Sequence, residues 1–228
     1  MIRDVKKVQN FVPIKNVFIS LFNKENSVML VHALFKICPD VTIFSSGGTY
    51  SHLEKFFPIH VRDKKIIQAS EYTGMPEADG GLVKTLHHKL FLGYLTETFS
   101  ELHQEDLKRE NAVAIDLVIV DLYPFDEVVK KEGVTAEECR GNIDVGGPSA
   151  LRAGVKNFLR VMTIAKAGLA DYNNFISELA LNNGCSTLNM RLKGAKDTFK
   201  VLSEYDTHIS DFFAKLTLDE ILETYKLV

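Results

Sequence analysis

The chain has 228 residues and a nearly balanced charge, with 27 lysines and arginines against 30 aspartates and glutamates. The formal net charge of -3 excludes an overall basic surface for nucleic acid or an acidic membrane, so any anion site must be local. With 46% hydrophobic residues, the chain is long enough to bury a core without disulfide or metal staples. Its three cysteines, Cys38, Cys139 and Cys185, form no CxxC pair, which favours free thiols in a reducing compartment.

No segment predicts export or membrane insertion. The opening residues, MIRDVKKVQNF, lack the continuous apolar stretch of a signal peptide, and no apolar run is long enough to cross a bilayer. We therefore expect a cytoplasmic protein that binds neither membrane nor nucleic acid.

Four apolar runs rich in β-branched and aromatic residues predict strands at residues 17–22, 41–44, 117–122 and 161–164. The third, DLVIVDLYP, is apolar at successive positions, as is typical of a strand covered on both faces. Stretches with helical spacing lie between these runs. This alternation predicts an α/β fold with a mainly parallel sheet flanked by helices in three layers.

After about residue 186 the pattern becomes helical only. A Ser/Thr cap is followed by Leu188, Leu192, Phe199 and Leu202, which fall on roughly one side of a helix. We therefore predict a core domain of residues 1–185 and a helical C-terminal appendix of residues 186–228 packed on it.

The motif SSGGT follows the second predicted strand, and ligands of open α/β sheets collect beyond the carboxyl ends of the strands. Gly47 and Gly48 let backbone N–H groups approach an anion, while Ser46 and Thr49 add hydroxyl donors. The helix that follows directs its positive end at the same place. A simple glycine turn between strand and helix is the alternative for so short a motif.

Two further candidates lie near predicted element ends. Tyr123 ends the third strand, where a tyrosine can donate its phenolic proton or stack on a planar ring; a half-buried core aromatic is the alternative. Lys84 precedes a helical pattern, where its charge opposes the helix dipole unless an anion is nearby. His87 and His88 are adjacent and share no helix face, which weighs against a metal site.

The segment NIDVGGPSALRAGVKN, residues 142–157, has opposite charges near its two ends. Asp144 precedes a helix predicted to begin at Pro148, and Gly146 and Gly147 permit a tight entry with the backbone close to a ligand. Lys156 lies 12 residues after Asp144, too far for the two to pair along one helix face. A helix cap with a solvated lysine, and a polar site shared by both charges, are both compatible with this spacing.

The motifs SSGGT, SEYTGMPE, GLVKTLH, IDLVIVDLYPF, NIDVGGPSALRAGVKN and SEYDTHISDFF occur in this order along the chain. Together they resemble the IMP cyclohydrolase portion of the bifunctional purine-biosynthesis enzymes, which has a methylglyoxal-synthase-like fold. The resemblance extends from about residue 17 to residue 213. It implies dehydrative closure of FAICAR (formamido-imidazole-carboxamide ribotide) to inosine monophosphate, with no metal or organic cofactor. It also implies a homodimer. The formyltransferase domain that usually accompanies this portion is absent from the sequence, so we expect either a free-standing enzyme whose ribotide substrate comes from a separate formyltransferase or one fragment of a longer product.

The resemblance also implies roles for individual residues. The catalytic set would be Lys84, Tyr123, Asp144 and Lys156, with Asp144, oriented by Lys156, handling the amide proton. Lys84 and Tyr123 would stabilise the tetrahedral intermediate. The implied substrate-binding residues are Lys24, Ser46, Gly47, Gly48, Thr49, Thr85, Asn142, Gly146 and Gly147.

The chain departs from the family pattern at four positions, one of which is His88, where the family has proline. Phe22 and Asn23 stand where the family has serine and aspartate, and Leu82 stands where it has arginine. Leucine does not replace the bidentate contact of arginine with phosphate, so we expect weaker substrate binding rather than altered chemistry. A non-catalytic module of the same fold that senses a nucleotide or phosphate is the alternative function, although a sensor has no need of the complete catalytic set.

Overall fold

The computed structural model of the chain describes residues 6–76, 83, 85–166 and 168–228. A sheet of five strands forms the centre: β2 (Asn16–Leu21), β3 (Thr42–Ser45), β4 (Ile66–Gln68), β5 (Leu117–Asp121) and β6 (Met162–Ile164). Their order across the sheet is β4–β3–β2–β5–β6, and each neighbouring pair is parallel. A separate antiparallel ribbon pairs β1 (Val12–Pro13) with β7 (Cys185–Ser186).

Helices connect these strands and cover both faces of the sheet. Their bounds are α1 Ser27–Ile37, α2 Gly47–Leu53, α3 Ile59–Lys65, α4 Ala69–Thr73, α5 His88–Leu95, α6 Glu101–Arg109, α7 Phe125–Val128, α8 Ala136–Gly141, α9 Gly146–Lys156, α10 Leu169–Leu181, α11 Leu188–Lys215 and α12 Leu218–Leu222. Among the described residues, no helix combines the length and the apolar character needed to span a bilayer.

Alternating strand residues build two cores, one on each side of the sheet. Val17, Ile19 and Leu21 of β2 share a core with buried residues of α1 and α10. Phe18 of β2 and Val118 of β5 point the other way, into a core with α5, α9 and α11. Because both faces are covered, the strands read as continuous apolar runs, and the predicted three-layer α/β fold is confirmed.

The strand predictions were largely right, but β4 and the two-residue strands β1 and β7 were not predicted. The four predicted runs correspond to β2, β3, β5 and β6 within one residue at each end. The strand β4 has only three residues at an edge of the sheet, too few to show a periodic pattern. The helix α9 begins at Gly146 rather than at Pro148, which is its third residue; this is still within the first turn, where no N–H has an intrahelical acceptor.

The buried face of α11 differs from the predicted apolar stripe. Leu192 and Phe199 are exposed, whereas the face that packs on the sheet includes Gly194 and Thr198. A Cβ at Gly194 would lie 2.6 Å from the carbonyl oxygen of Thr163 in β6. The helix therefore approaches β6 through small residues, and this close approach, rather than the spacing of the leucines, sets its rotation.

Arg191 of α11 fixes the amino-terminal segment and the segment before β6 to the helix. Its side chain is 0% exposed, and burial lowers the pKa of its guanidinium to about 10, so it stays charged at neutral pH. The guanidinium donates to the carbonyl oxygens of Gln9, Asn10, Phe158, Leu159 and Ser186, and to the Ser186 hydroxyl. One side chain thus satisfies carbonyl groups from three separate segments.

We expect Arg191→Met to reduce the free energy of unfolding by about 3 kcal/mol or more, because several buried carbonyl groups lose their donor together. Lys196→Met, at an exposed position on the same helix, is the control and should change the free energy by no more than about 0.5 kcal/mol. Urea unfolding followed by circular dichroism measures both. Equal midpoints for the Arg191 variant and the unmodified protein would contradict the anchoring role.

Candidate functional site

The topological switch point of the sheet lies where β2 and β5 end, because the chain leaves these two strands in opposite directions. From β2 it continues to β3 and β4 on one side, and it later returns through β5 to β6 on the other. Ligands of open α/β sheets bind at such a switch point, outside the carboxyl ends of the strands. Leu21 and Asp121 are the last paired residues of the two strands, so the loops that follow them border this switch-point crevice.

Tyr123 lies at the switch-point crevice, two residues beyond the end of β5. Its side chain is 37% exposed, and its ring meets the ring of Phe22 edge to face, with 5.7 Å between the centroids. The phenol is thus presented at the sheet edge rather than enclosed in a core. Of the two sequence interpretations, the structure favours an accessible tyrosine.

Asp144 is held against the start of α9 by its own loop. Its Oδ1 accepts a hydrogen bond of 2.9 Å from the backbone N–H of Gly147, so the carboxylate caps the helix from a position just outside it. A Cβ at Gly147 would lie 2.5 Å from Asp144 Oδ2 and 2.9 Å from Leu122 Cδ2. A side chain at position 147 would therefore clash with both Asp144 and Leu122. The glycine allows the Asp144 carboxylate to lie close to Leu122, the residue that precedes Tyr123.

Tyr205 of α11 borders the same loop and was not among the predicted site residues. Its hydroxyl accepts a hydrogen bond of 2.7 Å from the backbone N–H of Asp144. Burial raises the pKa of the Tyr205 phenol to about 12, and the nearby Asp144 carboxylate, Asp206 and Tyr123 add to the rise. The hydroxyl is therefore protonated at neutral pH. The motif SEYDTHISDFF contains this residue, but its role depends on a contact that the sequence does not display.

In the SSGGT motif, the backbone N–H groups are available to a ligand, whereas the hydroxyl groups of Ser46 and Thr49 make contacts within the protein. Thr49 is buried, and its Oγ1 accepts a hydrogen bond of 2.9 Å from the N–H of Leu21, which ties α2 to β2. Ser46 Oγ lies 2.9 Å from Ser20 Oγ and makes no cap to the helix. The N–H groups in the first turn of α2 have no intrahelical acceptor, and a Cβ at Gly48 would meet nothing within 4 Å. The expected hydroxyl contact from Thr49 is therefore replaced by an open helix start.

Lys24 lies between the loop after β2 and helix α2. Its ammonium donates to the carbonyl oxygen of Phe22 at 3.0 Å. The pKa of His52 in α2 is lowered by burial and, next, by the positive charge of Lys24. This effect is consistent with a lysine charge close to helix α2.

Three other predicted residues, Thr85, Asn142 and Gly146, lie at or near the start of α9. Thr85 is buried, and its hydroxyl oxygen lies 2.9 Å from where a Cβ of Gly146 would be. Asn142 donates from its side chain to the carbonyl oxygen of Glu138 at 2.8 Å, so its amide N–H helps to end α8. The predictions for Lys84 and Leu82 fall outside the described residues.

Lys156 does not reach Asp144 within one chain. It is the exposed last residue of α9, and the 11 residues of this helix run from the carboxyl edge of the sheet back towards its amino edge. At 1.5 Å per residue, about 15 Å of helix separates Gly146 from Lys156. The expectation that Lys156 orients Asp144 directly is therefore wrong for a single chain.

The sequence is related to that of curated proteins of purine biosynthesis, although no protein-family model matches it. The bifunctional purine biosynthesis protein PurH of Rippkaea orientalis is 37% identical over 178 residues, which cover 78% of this chain and 33% of that protein. PurH of Chlorobium phaeobacteroides is 38% identical over 201 residues, covering 88% and 36%. PurH of Leptospira biflexa is 37% identical over 204 residues, covering 90% and 38%.

This chain is homologous to one part of PurH. The resemblance found in the sequence motifs is thereby confirmed. The chain spans about a third of the length of the PurH proteins that it matches.

A solved structure supports the fold independently. The crystal structure of ForH superimposes with a TM-score of 0.71 and covers 87% of this chain and 98% of that one. The identity between the two sequences is 24%, so the comparison establishes a shared fold and nothing about a shared ligand.

We expect Tyr205→Phe to speed amide hydrogen exchange at Asp144 about tenfold, because a buried N–H that loses its acceptor is destabilised by about 1–3 kcal/mol. Exchange measured by nuclear magnetic resonance resolves this amide. Tyr225→Phe is the control, since the exposed Tyr225 hydroxyl donates a hydrogen bond to the side chain of Glu137. Unchanged exchange at Asp144 would show that Tyr205 does not hold the loop.

Proposed function

We propose that this chain is an IMP cyclohydrolase, which closes FAICAR to inosine monophosphate with loss of water. The homology to PurH supports this assignment, and the geometry that carries it is the crevice between the ends of β2 and β5, bordered by the phenol of Tyr123 and the carboxylate of Asp144. The alternative of a non-catalytic sensor has no support among the relatives, which are named as biosynthesis proteins.

Asp144 acts as the base in this proposal. The carboxamide nitrogen of the substrate must attack the formyl carbon, and an amide nitrogen is a weak nucleophile unless its proton is removed as the new C–N bond forms. The hydrogen bond from Gly147 to Oδ1 fixes the plane of the carboxylate, so the residue need not be reordered during the reaction.

Tyr123 acts on the formyl oxygen. As the C–N bond forms, this oxygen gains negative charge and takes up the proton that leaves the carboxamide nitrogen. The resulting hydroxyl takes up a second proton and leaves as water when its C–O bond breaks, while the formamido nitrogen loses its proton and forms the C=N bond of the new ring. A phenol at the crevice can donate a hydrogen bond to the developing oxyanion and then a proton to the departing hydroxyl. The resemblance assigns a parallel role to Lys84, which we include in the proposal on that ground alone.

The ribotide phosphate and ribose bind on the α2 side of the crevice. The backbone N–H groups of Gly47, Gly48 and Thr49 at the open start of α2 suit an anion, and Lys24 supplies a positive charge on the same side. Ser46, Thr85, Asn142, Gly146 and Gly147 complete the proposed substrate-binding set. Phosphate contacts remote from the reacting atoms supply binding energy for orientation.

The proposed partners rest on the family resemblance and on the substrate of the reaction. We propose that a separate formyltransferase supplies the formylated ribotide, and that the chain acts as a homodimer. The reaction as written consumes only the ribotide and releases water, so the proposal requires no cofactor.

The first test mixes the purified chain with FAICAR and follows inosine monophosphate by ultraviolet absorbance. We expect turnover that falls about 100-fold or more in Asp144→Asn, the range found when a general base is removed. The asparagine side chain can still accept from Gly147, so the fold should survive. Asp63→Asn, an exposed position in α3, is the matched control and should keep full activity.

Two results would count against the assignment. The unmodified chain could fail to convert FAICAR at saturating concentration, which would remove the proposed activity. Alternatively, Asp144→Asn could retain turnover, which would leave the activity but assign the base to another residue.

A second test concerns Lys156 and the homodimer. Because Lys156 is too far from Asp144 within one chain, the catalytic role that the resemblance implies requires that a second copy supply it. We expect Lys156→Ala and Asp144→Asn to be inactive alone and to regain activity when mixed, since a mixed dimer then has one complete site. Full activity of Lys156→Ala alone would remove this residue from the mechanism, and a mixture that stays inactive would remove the shared site.

A further inference from the structure

Phe22 presents a half-exposed aromatic ring at the switch-point crevice. It follows the last residue of β2, and its side chain is 48% exposed. Its ring meets Tyr123 at an angle of 64° with 5.7 Å between the centroids. In this edge-to-face arrangement the edge of one ring contacts the face of the other, so the pair leaves aromatic surface uncovered at the crevice.

The backbone around Phe22 is fixed by hydrogen bonds. The N–H of Phe22 donates to the carbonyl oxygen of Asp121 at 3.3 Å and thereby extends the pairing of β2 with β5 by one residue. The N–H of Asn23 donates to Asp121 Oδ2 at 2.9 Å, and the ammonium of Lys24 donates to the Phe22 carbonyl oxygen at 3.0 Å. The position of the backbone that carries the ring is therefore set by the sheet.

The surroundings of the ring are polar, which makes its exposure informative. Asp121 and Lys24 make hydrogen bonds with the backbone of Asn23 and Phe22, and the open start of α2 follows the neighbouring strand β3. The exposed apolar ring lies at the mouth of a polar crevice. When a planar, apolar ligand surface covers it, both surfaces are removed from water, which is favourable. Phosphate and ribose have no such surface, whereas the heterocycle of a ribotide does.

We propose that Phe22 is a specificity-determining residue that forms, together with Tyr123, an aromatic wall for the heterocycle of the bound ribotide. The proposal rests on the function proposed above for the ligand class, a purine or imidazole ribotide. Phe22 acts in ligand binding, by contact with the ring, and takes no part in proton transfer. The phosphate is recognised on the α2 side, so the two halves of the ligand are bound by different groups.

The test uses two ligands that share a phosphorylated ribose and differ in the base. Inosine monophosphate and ribose 5-phosphate are titrated by calorimetry into the unmodified chain and into Phe22→Ala. We expect the substitution to weaken binding of inosine monophosphate by about tenfold to a hundredfold, the range seen when an aromatic platform for a base is removed. Binding of ribose 5-phosphate should change less than about twofold.

Two further variants serve as controls. Phe22→Tyr keeps the aromatic ring and should retain binding of inosine monophosphate within a few fold. Phe99→Ala removes a similarly exposed ring, at 52%, from the loop after α5. That loop lies at the amino edge of the sheet, where Thr96 of the same loop accepts a hydrogen bond from Arg160 just before β6. It should have no effect.

Each other outcome overturns the proposal. Equal weakening of both ligands would mean that Phe22→Ala disturbs the loop or the phosphate site rather than the base. Unchanged binding of inosine monophosphate, together with a lower kcat for FAICAR, would mean that Phe22 only positions Tyr123. Failure of the unmodified chain to bind inosine monophosphate would remove the proposal outright.

The readout separates this proposal from the proposed activity. If the unmodified chain binds inosine monophosphate in a Phe22-dependent manner but does not convert FAICAR, the aromatic wall stands and the cyclohydrolase assignment fails. If it converts FAICAR while Phe22→Ala binds and turns over normally, the assignment stands and the aromatic wall fails.

Discussion

The parallel pairing of β2 with β5 is the interaction on which the geometry of the site depends. Both strands are central and buried on both faces, so a slip of one residue would turn core side chains such as Ile19 towards the opposite layer. Burial therefore locks the register that pairs Leu21 with Asp121. Because Phe22 continues this pairing through the Asp121 carbonyl, the positions of Phe22 and Tyr123 follow from the core of the sheet.

The position of Asp144 depends on a second set of contacts, made by helices rather than by the sheet. Gly147 allows the start of α9 to approach the end of β5, and Tyr205 holds the Asp144 backbone from α11. Arg191 of the same helix is tied to the amino-terminal segment and to the segment before β6. Helix α11 is thus part of the framework of the site, because Tyr205 holds the loop that carries the carboxylate.

The sequence predicted the parts of the fold that depend on long runs of residues. Continuous apolar runs predicted four of the five strands of the central sheet, and glycine-containing motifs at strand ends predicted the residues around the crevice. The sequence did not predict tertiary contacts that depend on only one or two residues. The Thr49 hydroxyl accepts a hydrogen bond from β2, and α11 packs on β6 through Gly194. Tyr205, from a distant part of the chain, accepts a hydrogen bond from the backbone of Asp144. Such contacts depend on close approach between elements, which periodicity does not report.

The two charges at the ends of α9 have a structural explanation that is independent of catalysis. Asp144 lies at the amino end of the helix and Lys156 in its last turn, so each charge complements the helix dipole and contributes about 0.3–1 kcal/mol. A helix that spans the sheet places its two ends at opposite edges, and only the carboxyl edge borders the crevice. The fold therefore accounts for Lys156 without a ligand. Asp144, in contrast, both caps the helix and lies beside the end of β5. Its place at the end of β5, and not its capping role, is what suits it to act as the proposed base.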